Sequence, residues 1–287
     1  MRTCVRDGCG LGRALQSSSV PKELPADWRE RLTDSVYNYH VNRSADSGKN
    51  NNRFEGDIAS RPDDGRRRIT PISGVVDRDL MWLDKIVPYE INIQFGNDEK
   101  KLILEAMADM AAKTCLIFRE QNAKDTSYIS FTRRDSGCWS YIGRQGGPQA
   151  INLAPGCVDK IGTVQHEVMH AISFYHEQSR LDRDDHVLVI WSNIQFGTNN
   201  TNFQKSIRTS ARDLPYDYDS IMHYAFNQFA KNPKYPTLIP VQPAHFGRKN
   251  LGSRDVMSAG DVEKIRRIIR RDFDRSGKAV ILATCAF

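Results

Sequence analysis

The chain has 287 residues, 39% hydrophobic and 26% charged, with 41 Lys and Arg against 35 Asp and Glu for a net charge of +6. That apolar content supplies a core for one large domain or two modest ones and excludes disorder along the full length. No apolar run approaches the ~18 residues of a membrane-crossing helix and the basic residues are scattered, so neither a membrane nor nucleic acid is an expected partner.

Residues 1 to about 53 are polar, rich in Ser, Asn, Arg and Asp, and read as a loosely ordered leader. Met1 to Asp27 holds no apolar stretch of the ~7–15 residues that a secretory signal needs, so the expectation is that the true start is missing. Arg61 to Arg68 (RPDDGRRR) reads as an exposed basic linker open to proteolytic processing. Beyond it, Ile86 to Phe95 alternates as a strand, and Asp98 to Lys113 patterns as a helix with apolar residues at Leu102, Ala106, Met110 and Ala111. Leu116 to Arg119 and Tyr128 to Phe131 read as further strands, and Gly146-Gly147-Pro148 as a turn before Ala150 to Leu153. A second helix is expected from about Asp159. Short helices are expected near Asn199 to Thr209 and over Ala259 to Arg271, with an appended tail from Phe273.

Six cysteines stand at 4, 9, 115, 138, 157 and 285 without a C-x-x-C pair, which argues for disulfides in an oxidising compartment and against a zinc ribbon. The chemistry concentrates in His166-Glu167-Val168-Met169-His170. On a helix, residues four apart lie roughly 40° apart around the axis, so both imidazoles project together and can share one Zn²⁺. Glu167 lies beside them to take a proton from water, with Ile161, Val164, Val168 and Ile172 as the buried stripe. His176 follows six residues after His170 and supplies a third imidazole, which leaves a fourth position open, as a catalytic site requires.

The run HEVMHAISFYHEQSR, with Ser220-Ile221-Met222-His223-Tyr224 further on, resembles the astacin family of zinc endopeptidases within the metzincins. The resemblance covers roughly Phe54 to Arg271. It implies an α+β, two-lobed metzincin domain with a twisted sheet and an active-site helix, preceded by an irregular propeptide. The corresponding boundaries are 1–68 for the leader, 69–272 for the catalytic domain and 273–287 for the tail. It implies one zinc ion per chain on His166, His170 and His176, with Glu167 as base acting on metal-activated water. Tyr224 is implied as a further ligand that swings off to stabilise the oxyanion, and Met222 as the residue beneath the metal. Glu177 is implied to tie the mature N-terminus, which falls between Ile69 and Gly74. Phe54-Glu55-Gly56-Asp57 matches the family's prosegment motif, in which Asp57 occupies the zinc's fourth position and keeps the zymogen silent.

The family pattern further implies a Cys138–Cys157 disulfide, worth ~3 kcal/mol on loop entropy, and a Cys115–Cys285 bridge that folds the tail back. Cys4 and Cys9 have no family counterpart. Ser173 replaces the motif glycine at a position expected to be left-handed, at ~1–2 kcal/mol for a non-glycine residue. The expected partners are an extended protein or peptide substrate along a sheet edge near Ser140 to Ile142 and an activating protease at the basic linker. A secreted monomer is expected, and Asn42-Arg43-Ser44 and Asn199-Asn200-Thr201 are glycosylation acceptors in that setting. Two alternatives stand beside this: a catalytically weakened peptide-binding relative, motivated by Ser173 and the C-terminus, and a basic binding protein whose histidines are incidental.

Overall fold

In the computed structural model, strand-forming residues between 58 and 153 make a six-stranded mixed sheet. The residues described are 53, 55–59, 80–82, 85–196, 200–206, 214–248, 250–252 and 255–276. The strands are β1 (Ile58–Ala59), β2 (Ile86–Ile91), β3 (Ile117–Glu120), β4 (Tyr128–Thr132), β5 (Cys138–Tyr141) and β6 (Pro148–Leu153), in spatial order β1-β5-β6-β4-β2-β3. All neighbours run parallel except β5 against β6. Val87, Ile129, Phe131, Ile151 and Leu153 are fully buried and belong to one core with helices α1 (Asn97–Thr114), α2 (Ile161–Ala171) and α3 (Ala259–Ser276).

Helix α1 turns Ile103, Ala106, Met107 and Met110 into that core, a stripe at the three- and four-residue steps of a helix. Ile103 and Met107, rather than the expected Leu102 and Ala111, carry its centre. Glu99 closes the N-terminus by accepting the Gly96 N–H at 3.0 Å. Strand β2 stops at Ile91 instead of Phe95 because the Asn92 side chain accepts the Gln94 N–H at 2.9 Å and its carbonyl accepts the Phe95 N–H, folding the chain into a turn. In place of a helix near Asn199 the described residues hold a single 3₁₀ turn, Asn200–Phe203. Helix α3 continues to Ser276, past Arg271 and the expected start of the tail.

A second core lies around the short antiparallel pair β7 (Val187–Val189) and β8 (Leu238–Pro240), with Phe203, Tyr216, Tyr218, Tyr224, Phe226 and Phe229. The two cores are the two lobes. Cys138 and Cys157 are disulfide-bonded and fasten the start of β5 to the loop before α2. Cys115 is disulfide-bonded too. Cys4, Cys9 and Cys285 lie outside the described residues.

Between the lobes, α2 ends in a Schellman turn: the Ser173 N–H bonds the His170 carbonyl at 2.9 Å and the Phe174 N–H bonds the Met169 carbonyl at 3.0 Å. Ser173 takes the left-handed position expected of it, with φ at +86°. Its hydroxyl donates to the Leu80 carbonyl at 2.7 Å, a tertiary hydrogen bond that glycine could not make. The strain and the bond are of similar size, each about 1 kcal/mol. Ser173→Gly should therefore leave the unfolding free energy within about 1 kcal/mol of wild type, whereas Ser173→Ala, which keeps the strain and loses the bond, should cost about 1–2 kcal/mol. Urea unfolding of the three forms checks both values.

Candidate active site

His166 and His170 lie one turn apart on α2, and the Schellman turn sends the chain back so that His176 faces them; all three are buried. Their ring centroids are 4.7, 5.3 and 4.8 Å apart. Each Nδ1–H donates to a fixed acceptor: His166 to the Ile221 carbonyl at 2.6 Å, His170 to the Phe174 carbonyl at 2.7 Å, and His176 to Glu55 Oε2 at 2.6 Å. Those bonds set the tautomer, so every Nε2 turns a lone pair inward.

What the three lone pairs meet is the Asp57 carboxylate. Its Oδ2 is 3.1 Å from His166 Nε2, and its Oδ1 is 3.5 Å from His170 Nε2 and 3.2 Å from His176 Nε2. The four ligand atoms lie within 4.8 Å of one another. Lone pairs aimed at lone pairs in a buried space repel unless a cation sits between them. Three imidazoles and one carboxylate are a zinc donor set, so the residues fit that metal. The electrostatics agree. Burial opposes charge on His176, yet Asp57 and Glu55 at its two nitrogens push its pKa up to about 9. Asp57 lies well below the usual carboxylate range in spite of burial, because His176 and the other imidazoles attract its charge. Without a metal the cluster draws in a proton; a divalent ion meets the same demand.

Glu167 is buried on α2 directly after His166. The Met222 turn is pinned from α3: Asp261 accepts the Ser220 hydroxyl at 2.5 Å and the Ile221 N–H at 2.9 Å. That fixes the Ile221 carbonyl behind His166, while the Met222 carbonyl accepts the Glu177 N–H at 2.9 Å. The Tyr224 ring lies 4.8 Å from that of His176, and its hydroxyl donates to the Glu55 carbonyl at 2.6 Å.

Glu177 carries a full complement of partners from the folded domain. Lys264 Nζ is 2.6 Å from Oε2, Arg180 Nη1 is 2.8 Å from Oε1, and the Asp217 N–H donates to Oε1 at 3.0 Å. Burial alone would raise the pKa of this carboxyl; the two cations outweigh burial and lower it. Residues 69–74, where the mature N-terminus was expected, lie outside the described residues. Lys264 escaped the sequence reading, although a lysine on the apolar side of DVEKIRRII is a signal for a buried partner.

The segment around Asp57 occupies the expected substrate edge. Strand β1 pairs parallel with β5, Ile58 opposite Ser140 and Ala59 opposite Tyr141, and the Ser140 N–H donates to the Asp57 carbonyl at 3.0 Å. Arg53 lies over the Trp139 ring at 4.6 Å and donates to the Ser136 carbonyl at 3.1 Å. Gly56 has φ at +89°, and a Cβ there would come within 2.7 Å of Phe229 Cζ, so the glycine of the motif is required twice over. Glu55, passed over by the sequence reading, is 1% exposed and touches both His176 and Tyr224. Phe54, the basic linker 61–68, Asn42 and Asn199 lie outside the described residues.

A family model described as Astacin, a peptidase family, matches residues 75–270. The chain is 37% identical to Bone morphogenetic protein 1 of Xenopus laevis over 265 residues, 87% of this chain and 37% of that protein. It is 38% identical to Zinc metalloproteinase nas-13 of Caenorhabditis elegans over 231 residues, 75% of this chain and 50% of that protein. The chain thus spans half or less of the length of these curated relatives. Among solved structures it is similar to High choriolytic enzyme 1, a hatching enzyme zinc-protease of Oryzias latipes. The TM-score is 0.62 at 31% identity, covering 68% of this chain and 97% of that one.

Breaking the Lys264–Glu177 contact leaves a buried carboxylate with one of its two cations, Arg180. Lys264→Met should therefore cost about 3 kcal/mol. Adding Glu177→Gln, which removes the under-compensated charge, should recover part of that loss. Chemical unfolding of the single and double variants tests the coupling, and additive losses would show that the two groups act separately.

Proposed function

Because the chain belongs to the astacin family of peptidases, we propose that it is a zinc-dependent endopeptidase held latent by its own prosegment. The observation that carries this reading is the convergence of His166, His170, His176 and Asp57 on one buried point. When bound there, zinc supplies a Lewis acid that acidifies water and polarises a carbonyl. The protein's own groups do the rest. The Ile221 and Phe174 carbonyls hold His166 and His170 in the ligating tautomer. Glu167, next to the cluster, takes the proton of the attacking water and delivers it to the leaving amine. Tyr224, freed from the Glu55 carbonyl, offers its hydroxyl to the developing oxyanion.

The same geometry supports latency. Asp57 fills the position that water needs, and β1 covers the edge of β5 where an extended peptide would add as a strand. Processing in the 61–68 linker by an activating protease is the proposed release step. We place the enzyme in a secreted, oxidising setting, in keeping with the Cys138–Cys157 bond, as a monomer acting on extracellular proteins. Ser173, the motive for a weakened binding module, closes its turn with all three histidines in place, so nothing in the site favours that alternative.

Glu167→Ala in the processed form should keep stoichiometric zinc and lose at least ~10²-fold in peptide turnover; unimpaired turnover would refute the mechanism. In the unprocessed chain, Asp57→Ala should raise peptide cleavage above the wild-type background. Cutting in the linker should then bring both chains to one level, since their catalytic domains are identical. An Asp57→Ala chain as silent as wild type, with zinc bound, would count against the switch.

A further inference from the structure

Of the three acceptors that orient the histidines, two belong to the catalytic domain and one does not. The Ile221 and Phe174 carbonyls remain after processing, whereas Glu55 leaves with the prosegment. We infer that Glu55 is a positioning residue of the latent metal centre, its carboxylate holding His176 in register from behind so that the unprocessed chain retains zinc more tightly than Asp57 alone would achieve. The inference rests on the zinc reading above and adds to it a second prosegment carboxylate, one that touches a ligand rather than the metal.

Geometry and chemistry both support this. Glu55 Oε2 is 2.6 Å from His176 Nδ1, on the side of the ring opposite the Nε2 that faces Asp57. A carboxylate behind an imidazole fixes the ring and makes its other nitrogen a stronger donor to a metal than a neutral carbonyl does. Glu55 is itself locked. Its carbonyl accepts the Tyr224 hydroxyl at 2.6 Å, its backbone holds a left-handed φ of +53°, and Gly56 next to it leaves no room for a Cβ beside the Phe229 ring. A non-glycine residue keeps that conformation only where its surroundings fix it. One prosegment residue therefore grips the third histidine through its side chain and the tyrosine through its main chain, two residues before Asp57 enters the cluster.

The test is zinc retention, read without catalysis. Unprocessed wild-type, Glu55→Ala and Glu55→Gln chains, all keeping Asp57, are loaded with zinc and challenged with a chromophoric chelator. Glu55→Ala should hold zinc about 10- to 100-fold less tightly, the scale for losing such a partner. Glu55→Gln, whose amide oxygen still accepts the Nδ1–H but carries no charge, should fall between. After cleavage and removal of the prosegment the three proteins are the same molecule and should release zinc alike. Equal retention by unprocessed wild type and Glu55→Gln, with Glu55→Ala either equal or misfolded, would overturn the inference while leaving the zinc reading intact. A wild-type chain that binds no stoichiometric zinc would overturn both.

Discussion

Three imidazole lone pairs and a carboxylate forced into one buried space impose the constraint that organises this molecule. A proton or a divalent ion has to sit among them, and each of the three rings is held from behind. Helix α2 provides two of the histidines, and a left-handed residue at its end turns the chain so that the third can join them. The acceptors behind the rings come from the Met222 turn, from the last residue of the Schellman turn, and from the segment before β1.

A second group of charges braces the first. Asp261 sits on the buried side of α3 with burial raising its carboxyl pKa, and it holds the loop that carries Ile221. Lys264, one turn on, lies within 3.7 Å of Asp261 and binds Glu177, which follows the third histidine in the chain. The far helix is thus linked to the metal centre by two carboxylates and one ammonium. Such arrangements add little net stability, because desolvation offsets attraction. Their effect is to set where α3 sits against the Met222 turn.

The three histidines were legible in the sequence through a four-residue step on a helix and a six-residue return, and the Met222 turn through the resemblance of its run to a family signature. The strands and long helices were legible through their periodicity, although their ends moved where side chains intervened, as Asn92 does at the end of β2. Glu55 and Lys264 were not, for the same reason in both cases. Each acts through a contact that joins distant parts of the chain, 121 residues for Glu55 with His176 and 87 for Lys264 with Glu177. No local pattern records such a pairing, and a glutamate or lysine in sequence is by default a surface residue.

The β1–β5 pairing also bears on how one copy of the chain meets another. A sheet edge beside a cleft must stay open for an extended chain to add to it, and an open edge is equally a template for other copies of the same protein. Here that edge is already paired, by the two residues of β1. On the proposed processing route, release of β1 would uncover a four-residue strand fastened at one end by a disulfide, too short to nucleate a stacked aggregate readily. By pairing that edge, β1 denies it to a second copy of the chain for as long as the two strands stay together.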